Sequence, residues 1–357
     1  MTSPHIAPPA RTSTQDIGGH SVVLAYADVG AEYEALRHQA IIVDRSYRGR
    51  MHFSGEKSGE VITGLVTNDV LALQPGQGQY AAALTAKGKI IADVRIFAED
   101  GGSYLVDVPP RAWEGWGALV KKFVNPRLSQ YRDDSATMRD IGVFGAAARH
   151  VVSAISGING SALTTLPPYA HVPSVVGSEK VTIINTPDLG VEGYDLLVSA
   201  EAFDATWMKA VAAGATPAGL GACEIARVEA GRPEWGIDID ENTLVQEANL
   251  EELGAISYTK GCYVGQEVVA RVHFRGHVNK HLRGLRSASA DAPHAGARLY
   301  DDDAADVGDV RSAVASPRLG GIALGMVRRE IATGTMLVAR WDGGSREVDV
   351  TPLPFPA

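Results

Sequence analysis

Apolar and polar positions follow two periods along the chain, and these predict helices and strands in a repeating order. Apolar residues three and four apart are typical of amphipathic helices, and alternating ones are typical of strands. The helical spacing covers residues 32–40, 56–73, 111–123, 146–155, 201–213 and 219–230. The alternating spacing covers residues 48–55, 80–86, 89–97, 104–108, 138–144, 181–185 and 194–199. Together they predict an α+β protein.

The same order of elements occurs twice, which predicts two α+β units of the ferredoxin-like, split-βαβ kind. Residues 21–135 form the first predicted unit and residues 136–280 the second. After residue 281 the pattern changes to short apolar runs between Gly and Asp turns, which predicts a small all-β barrel domain over residues 281–357. These runs cover residues 282–285, 297–300, 322–328 and 335–341. Residues 1–20 are polar and Pro-rich and are expected to form a flexible arm.

Length and composition indicate a globular chain with more than one domain. The chain has 357 residues, of which 45% are apolar and 21% are charged, as in ordinary soluble proteins. The first residues lack the apolar segment of a signal peptide, and no stretch is apolar for long enough to span a membrane. We therefore expect a cytoplasmic protein with no membrane partner.

Charge and cysteine content narrow the classes of partner and site. Lys and Arg number 33 against 42 Asp and Glu, and the net charge of −9 argues against nucleic acid as a partner. Cys223 and Cys262 are too few for a disulfide framework, which fits a reducing compartment. The sequence has no Cys-x-x-Cys and no His-Glu-x-x-His pattern, so no metal site is predicted.

One octapeptide, Lys-Gly-Cys-Tyr-Val-Gly-Gln-Glu at residues 260–267, combines a thiol, an ammonium, an amide and a carboxylate. Gly265 and the residues after it predict a helix start with Glu267 in its first turn. Cys262 would then lie just before a helix N-terminus and two residues from Lys260, and both neighbours favour a thiolate. The alternative is a buried cysteine that packs as a small apolar side chain.

A basic tract begins with the same octapeptide. Between residues 260 and 286 there are six Lys or Arg residues, Arg271 among them, against the single acid Glu267. Such a tract suits a ligand with several carboxylates, which ammonium and guanidinium groups bind. The alternative, a basic face that is simply solvated, remains open.

Three motifs resemble one group of proteins. Residues 260–267, with Val-Ala-Arg at 269–271 and Phe-Arg-Gly at 274–276, resemble the signature of the YgfZ-type folate-binding proteins. That family is related to the T-protein, or aminomethyltransferase, of the glycine cleavage system. Residues 226–240 resemble the Arg-x-Glu-Ala-Gly and Gly-x-Asp-Ile segment of the aminomethyltransferases, and residues 67–93 carry a weaker likeness.

The resemblance implies a three-domain cloverleaf around a central folate site, with interleaved α+β units and tetrahydrofolate, or a one-carbon-substituted folate, as cofactor. It places Asp93 where T-proteins have a catalytic aspartate pair, with Ala92 at the first position of that pair. Such a carboxylate would orient or deprotonate the folate nitrogen that attacks the one-carbon unit. The position of the family's folate-binding glutamate is Val191 here, and Glu192 stands next to it.

Other residues are candidates for folate binding or for supporting the thiol. Arg227 could reach a carboxylate from the predicted helix over residues 219–230, whereas Glu229 points in a different direction. Gln266 and Glu267 are expected to fix the loop by hydrogen bonds, and Lys260 to tune Cys262. The aromatic residues that could stack on a pterin, or equally lie in the core, are Tyr80, Trp235, Tyr263 and Phe274.

Three functions follow as hypotheses. The leading one is a tetrahydrofolate-binding protein that supports iron–sulfur cluster synthesis or repair, with Cys262 as its working thiol. One cysteine cannot hold a cluster, so this hypothesis requires iron–sulfur client or assembly proteins as partners. The alternative is a folate-dependent aminomethyl- or methyltransferase that uses Asp93 on a small amine, ether, sulfonium or lipoyl-bound donor. The third is a folate carrier without chemistry.

Overall fold

The structure is a computed structural model that describes residues 13–356. The helices are α1 (Val29–His38), α2 (Ser58–Leu65), α3 (Trp113–Phe123), α4 (Ala148–Ser156), α5 (Gly160–Thr164), α6 (Phe203–Ala212), α7 (Leu220–Glu229) and α8 (Gln266–Arg275). The strands of the first half are β1 (Ser13–Ile17), β2 (His20–Ala25), β3 (Ile41–Asp44), β4 (Gly49–Ser54), β5 (Gly78–Leu84), β6 (Ile90–Ala98), β7 (Tyr104–Val108), β8 (Gln130–Asp133) and β9 (Met138–Phe144). The remaining strands are β10 (His171–Val176), β11 (Glu179–Asn185), β12 (Gly193–Ser199), β13 (Thr216–Pro217), β14 (Lys280–Ser287), β15 (Arg298–Tyr300), β16 (Asp306–Ser316), β17 (Gly320–Arg328), β18 (Met336–Trp341) and β19 (Gly344–Thr351).

The chain divides into two compact units that interleave along the sequence. The first unit contains the described residues up to 47 together with residues 137–166 and 172–226. The second contains residues 48–136, 167–171 and those from 227 onward. The boundaries predicted from the periodicity followed the order of the chain, whereas the resemblance implied interleaved units.

The predicted N-terminal arm is described only in part, because residues 1–12 lie outside the described residues. Residues 13–20 differ from the expectation, since β1 pairs with β2 in an antiparallel hairpin. Gly18 and Gly19 make the turn with φ angles of 61° and 85°, which glycine adopts without strain. The backbone of this polar segment is therefore hydrogen-bonded in a β-ladder, which the composition did not predict.

The first unit is built on a six-stranded sheet in the order β10-β11-β12-β9-β3-β13. Its core is formed by one face of the sheet, with Ile42, Ile141 and Leu196, and by apolar residues of α4 and α6. Because side chains alternate along a strand, the neighbouring positions point to the opposite face. There Arg45 and the fully buried Asp195 form an ion pair of 3.0 Å.

The second unit contains a five-stranded sheet in the order β5-β6-β7-β4-β8. Helices α2 and α3 cover one of its faces, where Ile62, Trp116 and Val94 belong to a single apolar core. Alternation along β6 therefore turns Asp93 and Arg95 to the other face. We call that other face, which carries Tyr80, Asp93, Arg95 and Asp107, the polar sheet face.

The C-terminal part of the second unit is a closed barrel in the order β14-β17-β16-β15-β18-β19. Its interior is apolar, with Leu285, Leu299 and Val348 among the fully buried side chains. The four apolar runs predicted after residue 281 lie in β14, β15, β17 and β18. The predicted α+β class with a C-terminal β-barrel is thus confirmed.

The helix predicted over residues 56–73 is shorter than expected, because α2 ends at Leu65. Val66 is extended and bridges to Ala83, and the Thr67 hydroxyl donates to the carbonyl of Ala255. The Asp69 side chain then caps a single 3-10 turn at Val70–Ala72. Thr, Asn and Asp side chains that bond to nearby backbone compete with helix formation, which explains the break.

Candidate functional site

The polar sheet face holds a buried acid that accepts a hydrogen bond from a phenol, and that phenol adjoins a second aromatic ring and a guanidinium group. The Tyr80 hydroxyl donates a hydrogen bond of 2.8 Å to Oδ2 of Asp93, and both side chains are buried. The Tyr80 ring stacks on Tyr169 with centroids 6.3 Å apart. Nη1 of Arg232 donates to the Tyr169 hydroxyl at 3.1 Å, and its guanidinium carbon lies 5.8 Å from the Tyr80 centroid. We call these four residues the Asp93 cluster.

The phenol of Tyr80 is held in its neutral form. Burial, followed by the neighbouring Asp93 carboxylate, raises the pKa of Tyr80 well above its ordinary value. A phenol that keeps its proton can donate it in a hydrogen bond to an ionised carboxylate. The pair therefore fixes the orientation of the Asp93 carboxyl group.

A second buried acid, Asp107, lies on the polar sheet face and forms ion pairs with two arginines. Oδ1 of Asp107 accepts hydrogen bonds from Nε of Arg48 at 2.6 Å and Nε of Arg95 at 2.9 Å. Burial alone would raise the pKa of Asp107, but the guanidinium groups of Arg48 and Arg95 outweigh it and hold that pKa well below its usual range. Asp107 is therefore ionised and its charge is neutralised by two fixed cations.

Arg227 and Glu229 engage different partners, as their spacing on α7 predicts. Nη1 of Arg227 donates to the buried Asp238 carboxylate at 2.7 Å, and Nη2 donates to Ser312 at 2.6 Å. Glu229 accepts from Ser316 at 2.5 Å and pairs with Arg318 at 3.3 Å. Both side chains thus tie the helix to β16 and the turn after it, and their folate-binding role stays a prediction.

Trp235 lies beside an apolar pocket of about 540 Å³ in the second unit. The Trp235 ring is half-buried, and its indole Nε1 is buried without a hydrogen-bond partner among residues 13–356. The other residues that line this pocket include Leu84, Leu119, Phe123 and Val264. Whether Trp235 stacks on a pterin stays a prediction.

Lys260 is buried, and its ammonium group binds backbone carbonyls. Its effect on the Cys262 thiol stays a prediction. Nζ of Lys260 donates to the backbone carbonyls of Thr63, Val66 and Asn68, at 2.7 Å for Val66 and 3.0 Å for Asn68. Nζ also lies 4.7 Å from the centroid of the Tyr263 ring. Burial lowers the pKa of Lys260 to about 8. Lys260 therefore anchors the loop to the end of α2, a role that sequence reasoning did not assign.

The thiol of Cys262 is exposed, whereas that of Cys223 is buried. Helix α8 begins at Gln266, after Gly265 with φ 85°, so Cys262 precedes a helix N-terminus as predicted. Within residues 13–356, the side chains of Gln266 and Glu267 make no hydrogen bond, which differs from the expected fixation of the loop by these two residues. Lys260 supplies that fixation instead.

Three further predicted residues do not belong to the Asp93 cluster. Arg271 is exposed on α8, and so is Phe274, with 67% of its surface accessible. Glu192 belongs to the first unit, where it accepts a hydrogen bond of 2.8 Å from Tyr194 and lies 3.6 Å from Nε of Arg149. Their assignment to folate binding stays a prediction.

Sequence reasoning missed Tyr169 and the role of Arg232. Both belong to the Asp93 cluster, but Arg232 is 63 residues from Tyr169 in the sequence, and Tyr169 is itself distant from Tyr80. No local pattern therefore joins them. The sequence did carry a signal for a polar sheet face: Asp93 and Arg95 alternate with apolar residues along β6, and Asp107 has apolar neighbours in β7.

The structure adds two findings on classes of site. Among the described residues, no three His, Cys, Asp or Glu side chains are grouped so as to hold a metal ion. No helix within residues 13–356 combines the length and apolarity that crossing a membrane requires.

The chain is similar to known proteins along nearly its whole length. Residues 10–257 match the GCVT N-terminal domain, and residues 280–356 match the glycine cleavage T-protein C-terminal barrel domain. It is 31% identical over 340 residues to an aminomethyltransferase of Thermosynechococcus vestitus, with 95% of this chain and 90% of the relative covered. It is 29% identical over 345 residues to an aminomethyltransferase of Nostoc sp., with the same coverage of 95% and 90%.

A solved structure has the same fold. The glycine cleavage system aminomethyltransferase T from Bartonella henselae superposes with a TM-score of 0.86 over 97% of this chain and 94% of that one. The two sequences are 20% identical, so this likeness concerns the fold alone.

Proposed function

Because the chain belongs to the glycine cleavage T-protein family, we propose that it is a tetrahydrofolate-dependent transferase of a methyl or aminomethyl group. The donor would be a small amine, ether or sulfonium, or a lipoyl-bound group. The observation that carries this proposal is the Asp93 cluster, in which the Tyr80 phenol orients a buried carboxylate and a guanidinium group lies 5.8 Å from the centroid of the Tyr80 ring.

The chemistry of the cluster fits a reduced folate. Tyr80 and Tyr169 supply stacked aromatic rings of the kind that contact a pterin or a benzoyl ring, and Arg232 supplies a cation for a carboxylate. Tetrahydrofolate carries both a flat ring system and carboxylates. We therefore assign its binding in the second unit to these three residues, with Asp93 next to the reacting part.

Asp93 carries the proton chemistry in this proposal. When bound, tetrahydrofolate supplies the nitrogen that receives the one-carbon unit. The Asp93 carboxylate accepts a proton from that nitrogen or orients it, while Tyr80 keeps the carboxylate in one position. Ala92 is fully buried in the apolar core on the opposite face of β6, so an acid there would not lie beside Asp93. The proposal therefore assigns the proton chemistry to Asp93 alone.

The test is a transfer assay that separates binding from chemistry. Asp93→Asn keeps an oxygen for the Tyr80 hydrogen bond but removes the base, so we expect about 100-fold or greater loss of methyl- or methylene-tetrahydrofolate formation. Calorimetric binding of tetrahydrofolate should remain. The matched control is Asp100→Asn. Asp100 is an exposed acid just after β6, the strand that carries Asp93, and its substitution should leave the rate unchanged. Full activity of Asp93→Asn would refute the proposal.

The exposed thiol of Cys262 favours a second candidate function, the support of iron–sulfur cluster synthesis or repair in the cytoplasm. Its loop is anchored by Lys260, so the thiol is presented at a defined place on the surface. Cluster-containing client or assembly proteins would be the partners. A Cys262→Ala chain should then fail to restore cluster-dependent enzyme activity in cells that lack the protein. If that variant restores it in full, this second candidate is wrong.

A further inference from the structure

A polar pocket of about 290 Å³ lies in the first unit. Its walls come from the turn between β1 and β2, from β2, from the end of β3 and from the start of β9. The polar residues among its lining are His20, Ser21, Tyr26, Asp44, Ser46, Tyr47 and Arg139. It is independent of the Asp93 cluster, which belongs to the second unit, and neither proposed function uses it.

Arg139 is a half-buried cation without a partner. Among residues 13–356 its guanidinium group makes no hydrogen bond and no ion pair. The register of β3 and β9 places Asp44 directly opposite Ile141, and Arg139 is two positions from Ile141. Side chains two apart on a strand share a face, so Arg139 and Asp44 point to the same side of the sheet.

Asp44 and Arg139 line the same pocket but do not meet. Oδ1 of Asp44 accepts a hydrogen bond of 2.9 Å from the backbone N–H of Ser46, and the described residues offer its carboxylate no ion pair. The charged atoms of Asp44 and Arg139 are more than 4.0 Å apart. Two opposite charges therefore face a shared space that separates them.

Tyr26 adds a neutral hydroxyl to the same space. Burial, with the Asp44 and Glu32 carboxylates as smaller contributions, raises the pKa of Tyr26. The phenol therefore keeps its proton and can donate a hydrogen bond to an acceptor in the pocket. A carboxylate group of a ligand could accept from both this hydroxyl and Arg139.

We propose that this pocket binds a small α-amino acid. The ligand's carboxylate would pair with the Arg139 guanidinium group, and its ammonium group would donate to Asp44. A ligand with both charges pairs with Arg139 and Asp44 at once, whereas an anion or a cation alone leaves one of these two side chains facing a like charge. A volume of 290 Å³ is at the small end of ligand pockets, which favours amino acids with short side chains.

The test is a calorimetric or NMR titration of the full chain with matched probes at about 10 mM. Glycine and alanine should bind, while acetate and methylamine, which each carry one half of the charge pattern, should bind at least about 10-fold more weakly. Phenylalanine should bind more weakly than alanine because of its size. Equal binding of acetate and glycine would show a simple anion site, and no binding of any amino acid would also overturn the proposal.

Two variants with a control complete the test. Arg139→Gln should weaken glycine binding about 10-fold or more, and Asp44→Asn should do the same while keeping the oxygen that accepts from Ser46. Arg37→Gln removes another half-buried arginine of the first unit that makes no hydrogen bond or ion pair among the described residues, and it should bind glycine normally. Thermal unfolding of each variant without ligand shows whether it folds. Folded Arg139→Gln with undiminished glycine binding would contradict the assignment.

Discussion

The polar sheet face and the loop at residues 260–267 hold their reactive groups in opposite ways. On the sheet face, the acid Asp93 is buried, and a phenol donates directly to it. In the loop, the thiol of Cys262 is exposed, and the nearby Lys260 is buried with its ammonium group on backbone carbonyls.

This difference shows that a short segment rich in reactive groups does not by itself bring those groups into contact with one another. The loop has more kinds of reactive group in eight residues than the sheet face, but its Lys260 ammonium group binds backbone carbonyls and so anchors the loop. The sheet face contains ordinary residues that form a candidate site because strand alternation and pairing bring them together. Preorganised polar groups of this kind are what catalysis by proton transfer requires.

The largest effect on stability is expected from the acid that anchors the sheet face. Asp107→Asn removes the charge that neutralises Arg48 and Arg95, and breaking a buried ion pair on one side costs about 3–5 kcal/mol of unfolding free energy. Chemical denaturation measures this loss. The exposed control, Asp100→Asn, should change stability by less than about 0.5 kcal/mol. An equally small change in Asp107→Asn would mean that this face is not held by its charges.

The same acid gives a pH dependence with a definite sign. The pKa of Asp107 is lower in the folded state than in the unfolded chain, so the folded state keeps its charge when the unfolded chain binds a proton. Its contribution is complete above the unfolded pKa of about 3.9 and is lost as pH falls below it. The stability difference between wild type and Asp107→Asn should therefore shrink on acidification, which denaturation at several pH values measures. A constant difference would contradict the sign.

An intermediate effect is expected from the anchor of the loop. Lys260→Ala leaves the carbonyls of Thr63, Val66 and Asn68 without their donor, and we expect a loss of about 1–3 kcal/mol of unfolding free energy. Propylammonium ions should restore part of that stability, because they supply the missing ammonium group. Lys121→Ala, at an exposed lysine of α3, is the control and should be neutral. If Lys260→Ala is also neutral, the loop is anchored by other contacts.

A smaller effect is expected from the phenol beside Asp93. Tyr80→Phe keeps the aromatic stack on Tyr169 but removes the hydrogen bond to the carboxylate, which is worth about 0.5–1.5 kcal/mol. We expect the transfer rate to fall by up to about 10-fold with little change in folate affinity. Steady-state kinetics separate the two quantities. A loss confined to affinity would place Tyr80 in binding only.

The smallest structural perturbation is alkylation of the native protein. Cys262 should react, while Cys223 should react only after unfolding, because burial raises the pKa of Cys223 to about 12. Mass spectrometry of peptides from native and denatured samples distinguishes the two thiols. Modification of Cys223 at the rate of Cys262 would show that the first unit opens more readily than its core suggests.

Much of the fold could be predicted from periodicity. The hairpin of β5 and β6, the barrel strands and the start of α8 after Gly265 follow from alternation and from turn residues. The interleaving of the units could not be predicted from spacing, since it depends on contacts between distant segments. The premature end of α2 was missed because the side chains of Asn68 and Asp69 accept hydrogen bonds from the backbone N–H groups of Asp69 and Leu71, which a continued helix would otherwise use.

The candidate site was predicted less completely. Asp93 and Tyr80 could be named from the sequence, and their contact is now described. Tyr169 joins them only through the tertiary fold. Proximity in sequence suggested that Lys260 acts on Cys262, but it did not reveal that the ammonium group binds backbone carbonyls. Neighbours in sequence share a backbone, but the direction of a side chain is set by its packing and hydrogen bonds.

The most direct test of the central claim compares two variants in one transfer assay. Asp93→Asn and Cys262→Ala are measured with the same one-carbon donor and tetrahydrofolate. If the polar sheet face carries the reaction, kcat/KM falls about 100-fold or more in Asp93→Asn and stays near the wild-type value in Cys262→Ala. The reverse result, with the loss in Cys262→Ala and none in Asp93→Asn, would contradict the account.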